Sequence, residues 1–374
     1  MISKKYSKGK VIPYNECTGC ALCTYICPSQ CITMVEGKLG HLFPSVDNQK
    51  CIHCNLCVKT CPSNNQFSFH YPFSAYAAWA KDDGEYISST SGGAASVFSR
   101  EIIKRGGVVY GCTMTSDCVV KHIRVDNEER LQELKGSKYA QSNIRDIYHL
   151  LKEDIRLGLP VLFIGTPCQV AAIKSLFKSE PDNLFLIDII CHGVPSLRVL
   201  HDYLNNKFGR SSFDSLSFRQ GSRLNMVIMN EGKTIYNAYY KDDLYYKLFM
   251  FGFTYRDSCH QCQYAQPNRV SDVTIGDFWG LGKKGDCNIP DHKHGVSVIL
   301  PISEKGNALV QRVRGSLNIY ERPVEEAIQG NSQLMAPSSS GKRIELFQML
   351  EPIFGLDKAY KFAHFDSFIK NIFR

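Results

Sequence analysis

Hydrophobic positions between residues 94 and 208 form short apolar runs that alternate with amphipathic segments. Apolar residues recurring every three to four positions predict helices, and apolar runs of four to eight residues predict buried strands. The predicted helices cover residues 94–105, 143–157, 169–177 and 196–208, with a short one from Asp126 to Leu134. The predicted strands cover residues 108–112, 119–125, 160–165 and 184–190. This alternation predicts a largely parallel sheet covered by helices on both faces.

The pattern changes after about residue 212, where apolar and polar residues alternate over short stretches. Such stretches predict hairpins rather than crossover connections. The predicted strands here cover residues 215–219, 226–229, 233–239, 273–278 and 296–300, and the tail from Lys342 is predicted to be helical. The predicted fold class is therefore α/β with α+β elements.

Cysteine is the unusual component of this chain of 374 residues, which has 16 cysteines. No apolar run approaches the ~20 residues that span a bilayer, and no apolar segment follows the basic N-terminus as in a secretory signal. We therefore expect a cytoplasmic protein without a membrane span. In a reducing compartment, clustered thiols bind metal or perform redox chemistry rather than form disulfides.

Eight cysteines form two copies of one spacing, Cys-x2-Cys-x2-Cys-x3-Cys-Pro, with a period of 34 residues. This run is typical of bacterial ferredoxins that carry two 4Fe–4S clusters, in which the fourth cysteine of each run binds the other cluster. The first predicted ligand set is Cys17, Cys20, Cys23 and Cys61, and the second is Cys51, Cys54, Cys57 and Cys27. Structural zinc is the alternative, but zinc sites are usually built from two separated Cys pairs. Cys31 lies outside the run and is interpreted as a small buried hydrophobe.

Four further cysteines are candidates for a third site. Cys168 and Cys191 each follow a predicted buried strand, and Cys259-x-x-Cys262 supplies two more thiols. The ends of parallel strands meet at one edge of a sheet, where ligands commonly bind. Spacing alone also leaves open core cysteines, a zinc half-site or a redox pair.

The net charge of +8 by itself suggests an anionic partner such as nucleic acid. Thiolate-bound clusters would offset most of this charge, because each thiolate carries a negative charge. No motif of interleaved basic and aromatic residues supports nucleic-acid binding. We therefore predict no nucleic-acid partner.

Six motifs occur in an order that resembles the coenzyme F420 hydrogenase/dehydrogenase beta-subunit family, over residues 75–340. They are Thr90-Ser91-Gly92-Gly93, Lys135-Gly-Ser-Lys-Tyr139, Gly165-Thr-Pro-Cys-Gln169, Cys191-His-Gly-Val-Pro-Ser196, Cys259-x-x-Cys262 and Gly276-Asp-Phe-Trp-Gly280. The N-terminal ferredoxin module occurs in many members. The resemblance implies that Cys168, Cys191, Cys259 and Cys262 bind a third 4Fe–4S cluster beside a flavin, normally FAD, with FMN as the alternative.

The resemblance also implies which residues surround the flavin. A Ser-Gly-Gly turn that leads into a helix has free backbone N–H groups, which suit a pyrophosphate. His192 follows Cys191 directly, and is the candidate catalytic proton donor. The candidate cofactor-binding residues are Ser91, Gly92, Gly93, Lys135, Ser137, Lys138, Tyr139, Thr166, Gly276 and Asp277.

These features divide the chain into a small ferredoxin-like domain with two cubane clusters and a larger mixed α/β body that binds a flavin and an iron–sulfur cluster. The predicted boundaries are 1–70 for the ferredoxin-type domain, 75–155 and 156–335 for the two parts of the body, and 336–374 for a helical tail. Residues 63–75 are interpreted as the linker.

Such a chain is predicted to be an oxidoreductase. A flavin takes electrons in pairs and releases them singly, as iron–sulfur clusters require. The expected two-electron substrate is coenzyme F420 or another small organic molecule, and the expected partner is ferredoxin or another redox protein. Two alternatives remain at this point, namely an electron-transfer subunit without its own substrate and a zinc-stabilised binding protein without enzymatic activity.

Overall fold

The computed structural model describes residues 11–209, 213–283 and 287–364. The helices are α1 (Leu22–Ile26), α2 (Leu56–Thr60), α3 (Asp83–Ile87), α4 (Ala94–Lys104), α5 (Ile147–Arg156), α6 (Pro167–Lys174), α7 (Leu197–Phe208), α8 (Leu244–Met250), α9 (Glu304–Val313), α10 (Val324–Gly330) and α11 (Lys342–Ala363). The strands are β1 (Ile32–Glu36), β2 (Leu42–Val46), β3 (Ala75–Ala80), β4 (Val108–Met114), β5 (Val120–Val125), β6 (Val161–Gly165), β7 (Leu184–Ile189), β8 (Ser215–Ser217), β9 (Asn225–Asn230), β10 (Lys233–Tyr239), β11 (Val273–Asp277), β12 (Ser297–Pro301) and β13 (Leu317–Arg322).

An eight-stranded sheet forms the centre of the body, in the order β13-β3-β12-β11-β7-β6-β4-β5. The neighbours β4, β6, β7 and β11 pair in parallel, as expected. The outer pairs are antiparallel, so the expectation of a largely parallel sheet is wrong and the sheet is mixed. The turn at residues 115–119 that joins β4 to β5 is too short for the crossover that a parallel pair requires.

Both faces of this sheet are covered by helices, as the sequence predicted. Phe98 and Ile102 of α4 pack with Leu309 of α9 in one buried cluster. Leu151 of α5 packs with Val170 of α6 in another. Burying apolar side chains on both faces is what allows the central strands to be almost continuously hydrophobic.

The two predicted parts of the body share this sheet. Strands β3, β4 and β5 come from residues 75–155, whereas the other five come from residues 156–335. Strand β3 was not predicted, because its sequence Ala-Tyr-Ala-Ala-Trp-Ala has neither alternation nor β-branched residues. All six of its residues are buried, so packing rather than local preference makes it a strand.

A second layer of structure follows residue 213. Strands β8, β9 and β10 form the antiparallel sheet that the alternating sequence predicted. This sheet shares a buried cluster with α7, α8 and α11. Helix α11 is interrupted at Gly355, where φ is +74°. The predicted tail is thus helical as far as it is described, and residues 365–374 lie outside the described residues.

The N-terminal region is ferredoxin-like and repeats its conformation with the sequence period. Helices α1 and α2 each start after a residue in the left-handed conformation, Ala21 (φ 59°, ψ 12°) and Asn55 (φ 58°, ψ 14°). Strands β1 and β2 form an antiparallel hairpin between the two helices in the sequence. Across the three described stretches of the chain, none of the helices has the length and apolar character to traverse a bilayer.

Candidate functional site

The structure brings the first predicted quartet together. Burial raises the pKa of Cys61 to about 12, and the neighbouring charges of Cys20 and Cys17 act in the same direction. Burial likewise raises the pKa of Cys23, with contributions from Cys20, Cys17 and Cys61. Four thiols that repel one another's charge in a buried site need a strongly cationic core before they can all be thiolates. An iron–sulfur cluster supplies such a core.

The second predicted quartet lines a small cavity. Cys27, Cys51, Cys54 and Cys57 border a space of about 80 Å³. Burial raises the pKa of Cys57, and the charges of Cys27, Cys54 and Cys51 act in the same direction. Their convergence from two loops fits the exchange of fourth ligands that the spacing predicted.

Cys31 is buried, as its interpretation as a small hydrophobe requires. Its Sγ nevertheless lies 3.4 Å from that of Cys27, and its side chain borders the same cavity. The second site therefore contains a fifth sulfur atom, which the sequence run did not indicate.

The third quartet also converges. Cys168 is the second residue of α6, and Cys191 lies two residues beyond β7. Cys259 lies within a short 3-10 turn at Asp257–Gln261, and Cys262 directly follows it. Burial raises the pKa of Cys191 far above its usual range, and the charges of Cys259, Cys168 and Cys262 add to the effect. Residues almost 100 positions apart in the sequence thus share one buried site.

Hydrogen bonds hold the start of α6 in place at this site. Gln169 Oε1 accepts a hydrogen bond from the backbone N–H of Thr166 over 3.0 Å. Thr166 Oγ1 lies 3.2 Å from Cys168 Sγ. Burial raises the pKa of Cys168 to about 12, although the hydroxyl of Thr166 opposes this shift. Thr166 therefore stabilises the thiolate form of Cys168.

The three quartets form a continuous series. The charge of Cys20, from the first quartet, acts on Cys168 of the third. The charge of Cys57, from the second quartet, acts on Cys23 of the first. Within the described residues, no three Cys, His, Asp or Glu side chains converge on a position for a single metal ion. A cubane is larger than an ion, so its ligands surround a wider space.

Side chains of the body donate hydrogen bonds to backbone carbonyl oxygens of the ferredoxin-like domain, and these bonds fix that domain to the body. Tyr148 Oη donates to the carbonyl oxygen of Cys20 over 2.8 Å, and Gln141 Nε2 donates to that of Thr18 over 2.9 Å. Arg256 donates to the carbonyl oxygens of Cys17 and Leu42. Sequence reasoning missed all three donors, because they lie far along the chain from the loops that they contact.

A cavity of about 430 Å³ lies beside the third quartet, a size typical of cofactor and ligand pockets. Cys168, Cys191 and His192 contribute to its wall. Nine of the ten candidate cofactor-binding residues also line it, namely Ser91, Gly93, Lys135, Ser137, Lys138, Tyr139, Thr166, Gly276 and Asp277.

Gly92 is the exception. A Cβ at this position would meet the carbonyl oxygen of Ala78 at 2.1 Å and the amide nitrogen of Ser297 at 2.6 Å. The glycine is therefore required for close approach to β3 and β12, and it does not line the cavity. Gly93 is the residue with φ of +81°, and it precedes the first turn of α4.

The residues at one end of the cavity fit an anionic group. The N-terminus of α4 presents unpaired backbone N–H groups, and the buried Oγ of the adjacent Ser91 has no hydrogen-bond partner among the described residues. Arg219 also lines the cavity and forms an ion pair with Asp277 over 3.0 Å. These groups suit an anionic group such as a phosphate.

His192 directly follows Cys191 and also lines the cavity. Burial lowers its pKa, and the charge of Asp277 opposes this shift. Its ring centroid lies 6.2 Å from that of Phe249, which also lines the cavity. His192 therefore faces the cavity as a neutral side chain, and its role as a proton donor stays a prediction.

Comparison with known proteins gives matches to both regions. Residues 159–327 match the family model for the C terminus of the beta subunit of coenzyme F420 hydrogenase/dehydrogenase. Residues 16–65 match a model of a 4Fe-4S dicluster domain, and a second model of that description covers residues 43–121. No curated protein matches the chain.

One solved structure with a similar chain is the xenon-derivatised F420-reducing NiFe hydrogenase complex from Methanosarcina barkeri. The sequences are 16% identical, and the match covers 71% of this chain and 90% of that chain with a TM-score of 0.48.

Proposed function

We propose that this chain, which joins a 4Fe–4S dicluster domain to the C-terminal domain of the coenzyme F420 hydrogenase/dehydrogenase beta-subunit family, is an iron–sulfur flavoprotein oxidoreductase. It passes electrons between a two-electron substrate and the clusters of its N-terminal domain. One observation carries the proposal: Cys168 and Cys191 line the 430 Å³ cavity and belong to the quartet that adjoins Cys20. The cavity and the dicluster domain are thereby joined by a single set of thiols.

The cavity residues bind and orient the flavin. The N–H groups at the start of α4 and the hydroxyl of Ser91 hold its phosphates. Tyr139 and Phe249 also line the cavity and stack with ring centroids 4.4 Å apart. When bound, the flavin supplies the exchange of an electron pair for single electrons.

Electrons are proposed to pass between the cavity and the third quartet, then between the third and the first, and then between the first and the second. Cys20 and Cys168 connect the third quartet to the first, and Cys23 and Cys57 connect the first to the second. Burial is the main cause that raises the pKa of every thiol in the first and third quartets. The order of the quartets rests on this adjacency, and the direction of electron flow depends on the substrate.

The second quartet is the proposed exchange point with a partner redox protein such as ferredoxin. Cys54 is exposed, as are the side chains of Ile52 on the same loop and of Leu56 at the start of α2. An exposed cluster edge framed by apolar residues suits brief contact with another electron carrier. This surface lies at the end of the series that is remote from the cavity.

The family description makes coenzyme F420 the first two-electron substrate to test. Other small organic substrates fit the same scheme, and FMN is the alternative to FAD. Because that description names a subunit, it also favours a second candidate function, in which the chain transfers electrons for a partner enzyme and has no substrate of its own.

Anaerobic purification of the full chain tests the proposal. We expect about 12 iron atoms and one flavin per chain, from three four-iron clusters. A colourless protein with stoichiometric zinc would contradict it. Reduction of coenzyme F420 or NAD(P)+ by the isolated chain with reduced ferredoxin separates the two candidates, because a subunit without a substrate reduces neither of them unaided.

A further inference from the structure

Arg256 is a buried cation whose guanidinium donates, among the described residues, to neutral acceptors. Its side chain is 1% exposed. It donates to the carbonyl oxygens of Cys17 (3.2 Å) and Leu42 (2.7 Å) and to Oε1 of Gln141 (3.2 Å). In the described part of the chain, none of the ion pairs involves Arg256, and the adjacent carboxylate of Asp257 is paired with Lys38.

Such an arrangement is unfavourable unless negative charge lies nearby. Taking an ion out of water costs several kcal/mol, which partner dipoles alone rarely offset. Burial and the charge of Arg256 lower the pKa of His41 to about 3, so this neighbour adds no positive charge. A negatively charged group must therefore be close to the guanidinium when the protein carries its iron–sulfur clusters.

The thiols of two quartets are the groups in that position. Nη1 of Arg256 donates to the backbone carbonyl oxygen of Cys17 itself, over 3.2 Å. The backbone carbonyl oxygen of Arg256 accepts a hydrogen bond from the N–H of Cys259 over 2.8 Å. Arg256 thus lies between the first and the third quartet.

The loop between Cys17 and Cys20 is shaped to admit the guanidinium. A Cβ on Gly19 would meet Nη2 of Arg256 at 2.5 Å and Cζ at 2.7 Å. Gly19 also has φ of +71°, which a side chain disfavours. On the opposite side, the guanidinium lies 4.6 Å from the centroid of Phe43. Both walls belong to the ferredoxin-like domain, so one side chain from the body is enclosed by that domain.

We propose that Arg256 is the positioning residue for electron transfer between the body and the dicluster domain. Its charge stabilises the reduced state of the cluster held by Cys17, Cys20, Cys23 and Cys61, and its hydrogen bonds hold the Cys17–Cys20 loop against the third quartet. The effect of Arg256 on the reduced state of this cluster does not depend on the flavin. Its effect on electron transfer from the body rests on the proposed function.

Redox titration of the purified full chain, followed by EPR spectroscopy, tests this role. Arg256→Met removes the charge, and Arg256→Lys keeps the charge but loses the branched donor. We expect the midpoint potential of the first cluster to fall in Arg256→Met and to be largely restored in Arg256→Lys. The cluster at Cys27, Cys51, Cys54 and Cys57 is the internal reference, and its potential is expected to stay unchanged.

Lys38→Ala is the matched control, because it removes the interface ion pair with Asp257 (3.2 Å) without removing a buried charge. Equal potentials in Arg256→Met, the control and the wild type would overturn the proposal. If Arg256→Met fails to retain iron, Gly19→Ala provides a second route, because its Cβ displaces the guanidinium while leaving the charge on the chain. An unchanged first-cluster potential in an iron-loaded Gly19→Ala protein would then overturn it.

The first-cluster potential tests the role of Arg256 separately from the proposed flavoprotein function. A protein with about eight iron atoms and no flavin would refute the flavoprotein. The shift in the first-cluster potential would still test the role of Arg256 in that protein.

Discussion

The hydroxyl of Tyr148 in α5 donates a hydrogen bond to the carbonyl oxygen of Cys20 over 2.8 Å. Burial raises the pKa of Tyr148 far above its usual range, and the charges of Cys20, Cys23 and Cys168 also contribute. This tyrosine therefore remains a neutral donor between the first and third quartets. It ties the loop of a proposed cluster ligand directly to the body.

Tyr148→Phe is expected to loosen this attachment. Loss of one buried hydrogen bond costs about 1 kcal/mol, which we expect to see as a lower free energy of unfolding in anaerobic urea titrations. Iron content should be unchanged, because no predicted ligand is altered. Tyr25→Phe is the control, since its ring packs 5.5 Å from that of Tyr148. An equal loss in both variants would assign the effect to general packing.

The predicted third cluster is tested by Cys259→Ser. We expect iron to fall from about 12 to about 8 atoms per chain, with most of the flavin retained, because serine is a poor replacement for a cluster thiolate. Cys287→Ser is the control, because Cys287 belongs to none of the three quartets. Undiminished iron in Cys259→Ser would refute the assignment of this cysteine.

Local pattern predicted much of the chemistry here. The duplicated run placed Cys17 and Cys51 in separate quartets, because cluster spacing is a property of short loops. Cys168 and Cys191 were found through the rule that parallel strands end at one edge of a sheet. The helices and strands between residues 94 and 208 were predicted for a similar reason, since their apolar periodicity reflects which face is buried.

Contacts between distant segments could not be predicted in this way. Arg256 and Cys17 are 239 positions apart, and nothing in the sequence around Arg256 distinguishes it from a surface arginine. Strand β3 escaped prediction because its burial depends on its two neighbours in the sheet, β12 and β13, which come from more than 200 residues further along the chain. The same reasoning assigned Gly92 to the cofactor site, whereas the structure shows that this glycine lets two backbones approach closely.

Arg219→Gln tests the end of the cavity that is proposed to bind the phosphates of the flavin. Arg219 is buried, and it holds Asp277 over 3.0 Å and the carbonyl oxygen of Thr90 over 2.9 Å. Loss of charged hydrogen bonds of about 1.5–3 kcal/mol should weaken flavin binding roughly tenfold or more, measured by fluorescence titration of the flavin-free protein. The exposed Arg223 offers the control Arg223→Gln. Indistinguishable affinities in the two variants would contradict a role for Arg219.

Ile52→Ser tests the proposed exchange surface at the second quartet. The side chain of Ile52 is 64% exposed beside Cys51. Its removal should therefore weaken docking of a protein partner by about 1 kcal/mol. We expect to see this as a roughly fivefold rise in KM for reduced ferredoxin. The rate with dithionite should not change, because this small reductant needs no docking surface. Leu157→Ser, at a side chain 60% exposed, is the control. A parallel loss with both reductants would indicate damage to the cluster instead.

The final prediction concerns acid stability and depends on His41 at the domain interface. Burial lowers its pKa to about 3, and the positive charge of Arg256 adds to the shift. The pKa of an unfolded histidine is about 6.5, so between these values the unfolded chain binds a proton that the folded chain does not. The contribution is fully present above about pH 6.5, and stability is lost as the pH falls toward about 3.

His41→Gln should flatten this dependence, since glutamine takes up no proton and can still donate to the carbonyl oxygen of Thr254, which His41 Nε2 contacts over 3.2 Å. Between about pH 7.5 and about pH 5.5, we expect the wild type to lose about 1.4 kcal/mol more unfolding free energy than the variant in anaerobic urea titrations. The exposed His149 provides the control His149→Gln, which should follow the wild type. If His41→Gln follows the wild type as well, His41 does not remain neutral when folded, and the electrostatic picture of the interface around Arg256 loses one of its supports.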